Sequence, residues 1–95
     1  MIIEKKFATN DTVSIKLSSG EEIVGRFVSM SDSEVIISKP MSLLATQNGM
    51  GLSPFMFTVS MDNKFPFNRN LISVMIPTES NMASQYIEQT SGLKF

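Results

Sequence analysis

Asp11 to Pro40 reads DTVSIKLSSGEEIVGRFVSMSDSEVIISKP, and it breaks into three antiparallel strands joined by two short turns. Val13, Ile15 and Leu17 alternate with Ser14, Lys16 and Ser18, the period of a strand with one buried face. Ser18-Ser19-Gly20-Glu21 supplies a turn, with Gly20 free to take the positive φ of a tight hairpin loop. The run Ile23 to Met30 is apolar on both faces, Ile23 and Phe27 on one, Val24, Val28 and Met30 on the other. Gly25 lies inside that run, where a glycine weakens a strand unless the backbone bends or is closely approached. A two-faced strand bent at a glycine is how a small sheet curls toward a barrel. Ser31-Asp32-Ser33-Glu34 turns the chain again, and Val35-Ile36-Ile37 runs out to Lys39-Pro40.

From Val13 to Phe27 the order V-x-I-x-L-x-x-G-x-x-I-x-G-x-F resembles the first signature of the Sm and Sm-like proteins, which include the bacterial Hfq. That pattern continues to an Asp in the next turn and an Asn on the third strand. Here Ser31 stands at the first of those places, with Asp32 one residue later, and Val35 at the second. Asn68 to Pro77, NRNLISVMIP, resembles the second signature, a polar and basic knuckle leading into the last strand, with Arg69 at the basic position and no Arg-Gly pair. The resemblance implies an all-β fold with one helix: a five-stranded, bent antiparallel, SH3-like open barrel over about residues 11–77, plus a C-terminal helix. It is similar in its compactness to the Sm-like proteins of phages, marine ones included.

The remaining segments fill in that plan. Met1 to Asn10 is too short for the opening helix usual in Sm-like proteins, and is expected to extend the first strand or lie along the barrel. Met41 to Ser53 is the least regular part, with Asn48-Gly49 marking a tight turn in a surface hairpin. Pro54 to Asp62, PFMFTVSMD, alternates Phe55, Phe57 and Val59 with Met56, Thr58 and Ser60 and reads as the fourth strand. Phe27, Phe55 and Phe57 are expected in the core. Leu71 to Ile76 is the fifth strand, ended by Pro77. Thr78 to Thr90 reads as a helix, with Met82, Ala83, Tyr86 and Ile87 on one stripe. A dozen residues form a marginal helix alone, so it must dock, over an open barrel end or on a neighbour.

Ninety-five residues make one domain, and an apolar fraction of 42% with 18% charged residues is that of an ordinary globular protein. No apolar run approaches the ~20 residues of a transmembrane helix, and MIIEKKF lacks a secretory h-region, so no membrane association and a cytoplasmic site, in a bacterium or a phage-infected cell, are expected. Without His or Cys the commonest general base, thiol nucleophile and zinc ligands are missing, and no cofactor is called for. Glu21-Glu22 and Asp32 with Glu34 are the close acidic pairs, and both fall in predicted turns. The serines have no base partner. The expectation is therefore not an enzyme.

Net charge −1 argues against broad electrostatic attraction to nucleic acid, so any contact must come from a few placed bases. In an Sm-like barrel the turn after the second strand and the knuckle before the fifth share one rim. Here these are Met30, Ser31, Asp32 and Ser33, and Phe67, Asn68, Arg69 and Asn70. Asn and Ser can bond base edges, Met30 or Phe67 can stack on a base, and Arg69 can meet phosphate or base. The plainer account is a pair of satisfied turns, with Arg69 paired to Asp62. The fourth and fifth strands carry almost no protective charge, so edge pairing between copies into a homo-oligomeric ring is expected, of about five to seven subunits by the resemblance. The partner is then single-stranded RNA or DNA, in RNA or DNA processing. The alternative is the same ring as a non-catalytic structural or protein-interaction module.

Overall fold

The computed structural model describes residues 2–3 and 7–91. Its elements are β1 (Ile2–Ile3), β2 (Thr12–Leu17), β3 (Glu22–Met30), β4 (Glu34–Thr46), β5 (Gly49–Pro54), β6 (Lys64–Asn68), a 3-10 turn (Arg69–Leu71), β7 (Ile72–Pro77) and α1 (Ser80–Ser91). The strands form one sheet in the order β1-β7-β2-β3-β4-β5, and β6 joins it on β4. Every pairing is antiparallel except β1 with β7. The molecule is thus mostly antiparallel sheet with one C-terminal helix. The sheet is open, because β6 and β7 are not strand partners.

Its shape follows from β4, which is 13 residues long and bent. At Lys39 the backbone takes φ +49°, and Pro40 follows. Before the bend, Glu34 to Ser38 pair with β6; beyond it, Met41 to Thr46 pair with β5. β3 tracks both halves, with register shifts between Val24 and Arg26 and between Phe27 and Ser29. Gly25 sits opposite the bend. A Cβ there would run into Ile37 Cγ2 and come within 3.4 Å of Pro40 Cα. The glycine is required by this close approach, as its place inside an apolar strand suggested.

Alternation along β3 sends side chains to two cores, and β2 adds Val13 and Ile15 to the larger. Val13, Ile15, Ile23, Phe27, Val35, Ile37, Phe65, Phe67, Ile72 and Met75 form the larger one, with Phe7, Leu17 and Phe55 packed at its margin. On the other face Val24, Met41, Met61 and Tyr86 form a second, with Leu52 and Met82. Helix α1 supplies Tyr86 and Met82, so it docks on the outer face of the sheet, not over a barrel end. Its Tyr86 hydroxyl donates to the Lys39 carbonyl at 2.7 Å, at the bend of β4. The docked stripe is buried Tyr86 and Thr90 with half-buried Met82, while Ile87 is exposed, a correction to the expected stripe. Thr90 is accommodated because its hydroxyl donates to the Tyr86 carbonyl at 2.8 Å.

The fourth strand is the main correction. Pro54 to Asp62 does not form it; β5 ends at Pro54 and the chain then leaves the sheet as a loop. Phe65 and Phe67, alternating with Lys64, Pro66 and Asn68, take the edge of β4 and are buried. Two neighbouring segments offer alternating aromatics to one edge, and the later one fills it. Phe57 is left 79% exposed and is not core. Phe55 is half-buried, its ring 5.2 Å from that of Phe67. The surface hairpin expected around Asn48-Gly49 is present and regular: β4 and β5 pair from Met41–Pro54 to Thr46–Gly49, with Gly49 at φ +109° closing the turn. The outer edge of β7, expected to be bare, carries β1 beside Val74 and Met75. No helix among the described residues is long and apolar enough to cross a membrane.

Candidate nucleic-acid interface

Two turns meet at one end of the sheet. The first joins β3 to β4. Ser31 N–H donates to the Glu34 carbonyl at 2.8 Å, while the Ser31 hydroxyl oxygen accepts from the N–H groups of Ser33 and Glu34 at 3.3 and 3.1 Å. A serine at the head of a turn closes it through its own side chain. The second is the 3-10 turn between β6 and β7, capped by Asn68, whose Oδ1 accepts from Asn70 N–H at 2.9 Å.

Register brings the turns together, since Glu34 pairs with Asn68 across β4 and β6. Arg69 then fastens them. Its backbone N–H donates to the Ser33 carbonyl at 3.0 Å, and its Nη1 donates to the Ser31 carbonyl at 2.7 Å. Asp62 is not its partner, for that carboxylate lies 3.8 Å from Lys39 Nζ. Among the described residues no carboxylate pairs with Arg69, so its charge stays available beyond the one bond that orients it. Asp32 and Glu34 are exposed on the same turn, so this end holds two carboxylates beside one guanidinium.

The expected site residues divide accordingly. Ser31, Asp32, Ser33, Asn68 and Asn70 are exposed around the half-buried Arg69, and Met30, at 36% exposure, stands beside them. Phe67 is 8% exposed and belongs to the core, so it offers no stacking face. Leu71 is 55% exposed next to Asn70 and was read only as the start of a strand. Also missed was the exposed loop holding Met56, Phe57 and Val59. Among the described residues no three acidic side chains gather where a metal ion could sit. No protein-family model matches the chain, and no curated protein matches it.

Proposed function

We propose that this chain is an Sm-like, SH3-type open barrel that assembles into a homo-oligomeric ring and binds single-stranded RNA or DNA at the rim of Met30 to Ser33 and Asn68 to Asn70. The observation that carries the reading is Arg69: held by two carbonyls of the opposite turn, free of any carboxylate among the described residues, and flanked by exposed Asn68 and Asn70. A guanidinium so oriented suits a phosphate or a base edge, and the amides suit Watson–Crick edges. Repeated around a ring, one Arg per copy becomes a circle of positive charge on a chain whose own net charge is −1. Asp32 and Glu34 repel phosphate, so in this reading bases face that turn and the backbone of the strand passes Arg69.

The test is fluorescence anisotropy with labelled single-stranded RNA and DNA at two salt concentrations, on wild type and Arg69→Ala. Removing Arg69 is expected to weaken binding by about 10-fold, the scale of ~1–3 kcal/mol for a lost Arg contact, and to lower the salt slope by about 1. Unchanged binding by an intact assembly removes Arg69 from the site. A second reading, a protein-interaction module of the same fold, is favoured by exposed Leu44, Met50, Met56, Phe57 and Leu71. A well-folded wild type that binds no strand even at low salt would leave that reading in place.

A further inference from the structure

We propose that the β4–β5 hairpin is a pairing arm: the free edge of β5 joins the same edge of a second copy, antiparallel, about a two-fold axis at Gly51. The proposal goes beyond the ring and does not depend on it. β3 follows β4 only as far as Ser42, so past that residue the hairpin has no third strand among the described residues. A hairpin alone is marginal in water, and a third strand or more is needed to hold it. Leu44 and Met50, on its opposite faces, are 48% and 50% exposed. From Pro40 to Met61 the sequence holds no Asp, Glu, Lys or Arg. The other edges are guarded: β1 is two residues long, and β6 carries Lys64 and Pro66. β5 has neither charge nor bulge, and its one proline, Pro54, is its last residue.

Backbone direction on β5 decides what can cover it. Phe55 N–H donates to the Pro40 carbonyl at 3.0 Å, which makes Ser42 with Ser53, Leu44 with Gly51 and Thr46 with Gly49 the bonded pairs of the ladder. Met50 and Leu52 fall between them, so their N–H and C=O groups point away from β4, where no strand of the described residues lies. A lipid surface would leave these groups unpaired in hydrocarbon, whereas an extended chain satisfies them. The edge suits its own copy in particular. Across a two-fold axis a charge meets its like, and this edge has none. With Gly51 opposite Gly51 of the second copy, Met50 faces Leu52 of the second copy and Leu52 faces Met50. Every N–H and C=O of both residues is then bonded. Their side chains lie on the face where Leu52 packs against Val24, Met41, Met61 and Tyr86, so the smaller core continues across the axis. Four strands replace two, and the contact is isologous and closed.

Two measurements test this. Met50→Lys puts a charge on the edge, at a position outside both cores, and should part the arms. By light scattering wild type should weigh twice what Met50→Lys weighs, whether the unit that doubles is one chain or a ring. The second measurement exploits the absence of cysteine from the chain. A Cβ at Gly51 meets only Thr46 Cγ2, at an ordinary 3.6 Å, so Gly51→Cys keeps the hairpin. Residues opposed in a non-bonded antiparallel pair stand about 4.5 Å apart, within the roughly 4.4–6.8 Å span of a disulfide. Mild air oxidation should therefore link Gly51→Cys into pairs. Ser53→Cys, whose two copies the axis sets about 14 Å apart along the strands, should stay unlinked. Equal masses for wild type and Met50→Lys overturn the proposal, as does Ser53→Cys linking as fast as Gly51→Cys. A heavier wild type whose Gly51→Cys variant stays unlinked puts a different strand on the edge and overturns it too.

Discussion

Phe67 and Arg69 are two residues apart, and the fold gives them opposite tasks. Phe67 points into the larger core against Phe55, whereas Arg69 spans to the turn of Ser31. Phe67→Ala should cost about 3–5 kcal/mol in chemical denaturation, as for a buried aromatic, and leave strand affinity of the folded protein unchanged. Gly25→Ala should also destabilise, by about 1–3 kcal/mol, because the added methyl meets Ile37 and the backbone of Pro40 at the bend. An equilibrium urea titration reads both. Gly25 was legible in the sequence, since a glycine between Val24 and Arg26 in an apolar strand demands a reason. So was the grouping of Ser31 to Ser33 with Asn68 to Asn70. The manner of their attachment was not, because Arg69 bonds to backbone carbonyls, and a carbonyl leaves no mark on residue type.

Among the elements, the two hairpins of the opening stretch could be read directly, since alternation and turn chemistry agree there. Pro54 to Asp62 could not, for a reason of competition: its alternation is as good as that of Lys64 to Asn68, and only the tertiary edge of β4 chooses between them. The helix was legible in extent but not in docking site. What settles the site is one phenol. Burial pushes the Tyr86 hydroxyl well above its ordinary range, with the Arg26 guanidinium pulling the other way. A tyrosine that is harder to ionise when folded stabilises the fold fully below its unfolded pKa of about 10, and that stability is lost as pH rises beyond it. The melting temperature of wild type should therefore fall above about pH 10, and fall less steeply in Tyr86→Phe. At neutral pH the same variant should cost about 1 kcal/mol for the lost bond to Lys39.

For the whole molecule, composition and period foretold an antiparallel sheet with one helix, and that is the architecture. The positions of the open edges were not foretold. β7 gains β1, and free outer edges fall to β5, which ends the strand order, and to the short β6, whose Pro66 suits an edge because it has no N–H to give. β5 carries no charge along its free edge, and the loop that follows it to Met61 carries none either, so the surface least guarded by charge runs from a strand into a loop. The place of β2 has a further consequence. It lies between β3, its neighbour in the chain, and β7, with Val13 opposite Pro77. A ribosome adding ~5–20 residues per second leaves β2 half-paired for a few seconds before β7 has emerged. During that wait Val13 and Ile15 lack Ile72 and Met75 above them. Translation stalled before Ile72 would leave β2 paired on one side only, with an unsheltered edge open to chaperones and to aggregation.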